Sequence, residues 1–283
     1  MHLKHLYQKK VKTNWLFFKQ LRELLFGLRH NNFRRQNGTV WISPQFPSRK
    51  STLYQISRHL KFNLITEPFQ NTQIGIHFHD TTLHDPIQNT KNIKIINKNI
   101  SDISKQKVDQ VHLEVFKYNT FIDPTNHLGK CVEKSDENAL HDGIEIQCPI
   151  KQKNPDKVYQ LVIDNQEGDL FVDHRVCVMK SDIVIIYKKY KTLEYRFTND
   201  TCHATIEELN LIPEHVQKNI LHFCKVMQCE FCELDVLKDN NSGKWFVIDL
   251  NKTPYGPPAS LSKKDKKKAV EILSNGFAKN FLN

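Results

Sequence analysis

The residues with the most chemistry to offer stand on two short segments near the C-terminus. Glu233-Leu234-Asp235-Val236-Leu237 alternates acidic and apolar residues. Phe246-Val247-Ile248-Asp249-Leu250-Asn251 follows after the turn-forming cluster Asp239-Asn240-Asn241-Ser242-Gly243. Period-2 alternation places Glu233, Asp235 and Leu237 on one strand face and Val247, Asp249 and Asn251 on one face of the next. A three-residue loop, Asn241-Ser242-Gly243, pairs Asn240 with Lys244 and sets Asp235 opposite Asp249; a loop one residue earlier sets Glu233 opposite Asp249. Either register puts two carboxylates side by side, which is destabilising unless a cation lies between them or one keeps its proton. Two carboxylates and the Asn251 amide carbonyl are hard oxygen donors of the kind that suits Mg²⁺, which completes its octahedron with water and phosphate oxygens. The competing reading is a solvated acidic face. Asp249 lies inside an apolar run, where a bare charge is costly, and this favours the metal.

Other constellations are weaker. His77, His79, Asp80 and His84 have residue types that bind zinc, but with 14 histidines in the chain the cluster reads as polar residues at a strand end. Cys229-x-x-Cys232 with Cys224 reads as buried thiols, because Cys232 leads directly into the hairpin strand and no second Cys pair follows. Basic charge beside Trp15, Phe33 and Trp41 comes with no nucleic-acid recognition motif, so no nucleic-acid partner is expected. The sequence contains no serine elbow, glycine-rich Walker loop or dinucleotide fingerprint.

The elements that must position these residues fit a soluble chain of 283 residues with 39% hydrophobic content and a formal charge of +10. No segment reaches the roughly 20 apolar residues of a spanning helix. Seven cysteines, an odd number, and the lack of a cleavable signal pattern suggest a cytoplasmic location. Residues 1–37 read as a basic amphipathic helix, with Phe17, Phe18, Leu21, Leu24 and Leu25 among Lys and Arg. It docks on the core or makes peripheral contact with an anionic membrane. Residues 38–125 read as a small α/β unit, with strands at Thr39–Ile42, Leu64–Ile65 and Ile74–Phe78 and helices at Ser51–Leu60 and Ser104–Val115. Residues 126–283 read as a strand-rich antiparallel unit with a helix at Glu207–Met227, the hairpin, and a last helix from Ser262.

The hairpin resembles the C-terminal metal-binding hairpin of ATP-grasp enzymes: an acid on one strand, then acid-x-Asn on the next, with Thr253-Pro254 close behind. Asp249 stands where that pattern usually has Glu. The resemblance covers roughly residues 130–258. It implies an α/β unit followed by antiparallel ATP-grasp subdomains, with ATP and Mg²⁺ as cofactors and Asp235, Asp249 and Asn251 as metal ligands. It further implies that Lys134 reaches a phosphate, Gln160 and Leu161 read the adenine, Asp164 holds the ribose, and Arg175 and Arg196 serve the transferring phosphate. The implied reaction is ligation, in which ATP activates a carboxylate as an acyl phosphate for attack by an amine or other nucleophile. A kinase and a catalytically silent nucleotide-binding protein of the same fold are the alternatives. The acceptor is an unidentified carboxylate or sugar-linked molecule; the basic N-terminal segment points to envelope or surface-polysaccharide synthesis.

Overall fold

The computed structural model describes residues 38–70, 72–85, 87, 92–197 and 201–282; the N-terminal helix expected over residues 1–37 lies outside the described residues. Strands β1 (Thr39–Pro44), β2 (Asn63–Ile65), β3 (Ile74–Phe78) and β4 (Lys94–Ile96) pair in parallel, in the order β2-β1-β3-β4. Helix α1 (Thr52–Leu60) follows β1. The Ser51 side chain caps it by accepting from the Tyr54 N–H, leaving Leu53 and Ile56 buried. Strand β4 falls in a stretch whose Asn and Lys content reads as a polar loop; Ile95 and Ile96 are buried all the same.

Helix α2 (Lys105–Phe116) leads to a three-stranded antiparallel sheet of β5 (Gly129–Ser135), β6 (Ile144–Cys148) and β7 (Lys157–Leu161), ordered β6-β5-β7. The largest sheet follows. It comprises β8 (Gln166–Glu167), β9 (Leu170–Met179), β10 (Asp182–Lys191), β11 (His203–Glu207), β12 (Phe231–Lys238) and β13 (Trp245–Asn251), with path β11-β10-β9-β12-β13 and β8 on β9. Helix α3 (Glu214–Val226) precedes β12, and α4 (Lys263–Phe277) follows β13. The helix expected from Glu207 starts at Glu214 instead. Pro213 is its N-cap, where a missing N–H costs nothing, and residues 203–207 pair as a strand.

Strand alternation divides the large sheet into two faces of different character. Val176, Val178, Ile186, Leu234, Val236 and Val247 point to one side and pack under α2 and α3. On the other side Cys177, Met179, Ile185, Tyr187 and Phe231 pack against the parallel sheet and α4. Further along that same side come Asp173 and Arg175 on β9, Lys189 and Lys191 on β10, and Asp235 on β12. A face that is apolar at one end and charged at the other anchors at the first and works at the second.

Two β-bulges set which side chains reach that face. Register shifts between Ile183 and Ile185, so Val184 is the extra residue and Lys189 comes opposite Asp173. Helix α4 packs over this bulge at Gly276, where a Cβ would lie 2.6 Å from Val184 Cγ1. The second bulge is at Ile248. Val236 pairs with Val247 and Asp235 with Asp249, so Ile248 is left over on β13.

Candidate active site

A cavity lies between the three-stranded sheet and the charged face of the large sheet. Lys134, Gln160 and Leu161 line it from one side, Asp173, Lys191 and Asp235 from the other, with Ile248 and Asp249 beside them. The connection from β5 to β6 contributes His141, Asp142 and Gly143, and Arg196 and Phe197 complete the wall. Most of the candidate residues thus meet in one place although the chain separates Lys134 from Asp249 by two sheets.

The hairpin places Asp235 directly opposite Asp249 and Glu233 opposite Asn251. Of the two registers open from sequence this is the first, reached by a different route. The Asp239 N–H donates to the Lys244 carbonyl at 2.8 Å, so the loop is the four residues 240–243 and the Ile248 bulge restores the Asp235 pairing. Gly243, at φ +68°, supplies the left-handed turn residue.

The two carboxylates have opposite surroundings. Burial would raise the Asp235 pKa, but Arg175 and Lys189 outweigh it and hold the group well below the usual carboxylate range. The Arg175 guanidinium donates to both Asp235 oxygens at 3.1 and 3.3 Å, and Lys189 Nζ lies 3.1 Å from Oδ1. Asp249 is pushed up to about 6 by burial and by the Asp235 charge beside it, and its Oδ1 is buried with no hydrogen-bond partner. Lys134 is lowered to about 8 by burial, with Asp249 opposing the shift. It forms no ion pair within 4 Å among the described residues.

This arrangement fits a single Mg²⁺ ion. The orphaned Asp249 oxygen is a vacant hard donor, and Asp235 Oδ2, with one 3.3 Å contact, keeps a lone pair for a second bond. Asn251 departs from the expectation. Its Oδ1 accepts from the Thr253 N–H at 2.8 Å and the Thr253 hydroxyl at 3.1 Å, which turns the amide toward the chain leaving the hairpin.

The other expected ligands divide. Gln160 is buried at the cavity wall, its Nε2 donating to Thr120 Oγ1 at 2.8 Å, and the Leu161 N–H is held by the Thr120 carbonyl at 2.8 Å. Asp164 does not line the cavity. Its carboxylate accepts from the Gln166 N–H and from the Asn240 and Asn241 amides, so it clasps the hairpin turn in place of a ribose. Arg175 is likewise not a cavity residue: clamped on Asp235 and 3.8 Å from Glu233, it neutralises the acids from behind. Arg196 does line the cavity, but its guanidinium is held by Glu145 and by the Ile163 carbonyl at 2.9 Å, and stacks 4.2 Å from the Phe171 ring.

Three lysines at the site were missed in the sequence. Lys105 opens α2 just after the Ser104 cap, lines the cavity, and donates to the Glu137 carbonyl at 2.6 Å. A lysine in the first turn of a helix opposes the macrodipole, and that misplacement is the signal that marks it. Lys189 and Lys191 share the Tyr187 face of β10 by simple alternation; Lys191 Nζ pairs with Asp173 at 2.6 Å.

No family model matches the chain, and no curated protein matches it in sequence. Solved structures do match. D-alanine–D-alanine ligase from Bacillus anthracis, complexed with ATP, is 12% identical with a TM-score of 0.50, over 87% of this chain and 98% of that one. The ATP-grasp ligase PsnB, complexed with a minimal precursor, Mg and ADP, is 9% identical with a TM-score of 0.50, over 86% of this chain and 97% of that one. At these identities the likeness is one of fold, and the fold is that of the ATP-grasp ligases.

Proposed function

We propose that this protein is an ATP-dependent ligase whose nucleotide lies in the cavity between the two antiparallel sheets. The observation that carries the reading is the convergence of Lys134, Lys105 and the Asp235–Asp249 pair on one cavity of an ATP-grasp fold. Phosphoryl transfer needs alignment and charge neutralisation more than covalent help from the protein. Lys134 and Lys105 bring positive charge to the phosphates, Gln160 and Leu161 border the base, and Arg175 with Lys189 keeps Asp235 ionised. A Mg²⁺ ion on Asp249 and Asp235 supplies the remaining neutralisation at the phosphates. The carboxylate acceptor takes the γ-phosphoryl group, and an amine or other nucleophile then displaces phosphate. ATP in one structural neighbour, and Mg, ADP and a precursor in another, support this assignment. The acceptor class remains a carboxylate, peptide-borne or sugar-linked, and the basic residues 1–37 suggest work beside an anionic membrane.

The test is mass spectrometry of cell extract incubated with the protein, Mg²⁺ and ATP. ADP together with a product joined by loss of water supports ligation. A phosphorylated product that never condenses makes the protein a kinase, and bound but unconsumed ATP makes it a silent binder. The locked Asn251 amide favours that last outcome among the alternatives.

A further inference from the structure

Three histidines gather at the C-terminal edge of the parallel sheet. His77 lies on β3, His79 just past its end, and His84 beyond the next turn. One coordinating atom from each falls within 4.8 Å of the others. The ring centroids are 4.3 Å apart for His77 and His84, 5.4 Å for His79 and His84, and 5.7 Å for His77 and His79. His77 is 4% exposed, and its Nδ1 is buried with no hydrogen-bond partner, while the ring also meets the Asn97 carbonyl. Two other buried histidines, His112 and His174, also have a ring nitrogen without a partner, but they pack on aromatic rings; His77 is the one of the three whose coordinating atom lies within 4.8 Å of those of two further histidines.

We propose that His77, His79 and His84 bind one divalent transition-metal ion, Zn²⁺ by class, at a site separate from the nucleotide cavity. Imidazole nitrogens suit zinc, whereas Mg²⁺ prefers oxygen. A tetrahedral ion with Zn–N bonds of about 2.0–2.1 Å holds its nitrogens roughly 3.4 Å apart, so the rings close in by on the order of 1 Å. His79 and His84 are only half-buried and have room to turn. His84 Nδ1 stands 2.7 Å from the Asp85 carbonyl and Nε2 2.6 Å from the Ile100 carbonyl. Binding releases one of these contacts and keeps the other as the outer partner that orients the ring. Lys252, fully buried nearby, opposes the ion's charge, and the Asp80 and Asp102 carboxylates near that lysine offset it. The Thr253 hydroxyl lies 3.1 Å from both Asp80 Oδ1 and Asn251 Oδ1 and shares its one proton between them, so an ion here braces the loop after β3 against the end of the hairpin.

The experiment is a Zn²⁺ titration of the tag-free, chelator-stripped chain without nucleotide, followed by calorimetry and metal analysis. One tightly bound equivalent is expected. His79→Ala and His84→Ala should each weaken it by at least about 100-fold, since even outer-shell partners are worth roughly 10–100-fold. Asp249→Asn should leave it unchanged. In the unmutated chain, X-ray absorption at the zinc edge should show imidazole scattering and no sulfur, a result that does not depend on any variant folding. No binding at micromolar Zn²⁺, binding that survives both histidine substitutions, or sulfur in the zinc shell overturns the proposal.

Discussion

Replacing Asp249 with asparagine removes a charge that the fold holds at a cost. Its carboxyl lies among buried groups beside ionised Asp235, and Lys105 and Lys134 offset only part of the penalty, so its pKa rises from 3.8 to about 6. The native state therefore keeps this proton to higher pH than the unfolded chain does. Stability falls as pH rises through the window from 3.8 to about 6, and the penalty is complete above it. Converted at about 1.36 kcal/mol per pKa unit, the shift is on the order of 3 kcal/mol, and partial solvent screening leaves roughly 1–3. At about 2–4 °C per kcal/mol for a chain of this size, Asp249→Asn should melt several degrees above the parent at pH 7.5. At pH 5 the advantage should shrink to roughly half. The assay is thermal unfolding in chelator, without nucleotide, at both pH values. A variant less stable than the parent at pH 7.5, or a difference that ignores pH, refutes the charge assignment.

Arg175→Gln leaves half-buried Asp235 with Lys189 as its remaining ion-pair partner; the loss should cost about 1–3 kcal/mol by denaturant unfolding, less than the roughly 3–5 of a fully buried pair, even though Arg175 does not line the cavity. Gly276→Ala puts a methyl 2.6 Å from Val184 and should lower stability by about 1–3 kcal/mol, read as a shifted denaturation midpoint. Residues 1–37 should carry the full chain onto anionic vesicles at low salt and release it at high salt, at about 1 kcal/mol per basic residue near the surface; a chain starting at Gly38 should stay in the supernatant.

What the sequence revealed and what it hid divide along physical lines. The Asp235–Asp249 pairing and the antiparallel character of the second half follow from alternation and from a turn cluster that leaves few registers, whereas Lys134 is reached only through the resemblance to ATP-grasp enzymes. The bulges at Val184 and Ile248 leave no mark in composition, because an extra residue in a strand is defined by its partner. They nonetheless set Lys189 against Asp173 and bring Ile248 and Asp249 together to the cavity. Asp164 and Arg175 stand outside the cavity lining for a related reason. Each has the right residue type and neighbourhood, but a closer oppositely matched group, the Asn240 and Asn241 amides or Asp235, takes up its side chain. Strand β4 was hidden because only Ile95 and Ile96 are buried in an otherwise polar stretch, too short a run for periodicity to register.

The central claim is that Lys134 and the hairpin carboxylates form one ATP site, and thermal unfolding with millimolar ATP and Mg²⁺ tests it most directly. Binding at 100 times Kd stabilises the folded state by about 2.7 kcal/mol through linkage, so the parent should melt several degrees higher with ATP than without. Lys134→Ala should melt at the same temperature with and without the nucleotide. No shift in the parent, or an equal shift in Lys134→Ala, contradicts the account.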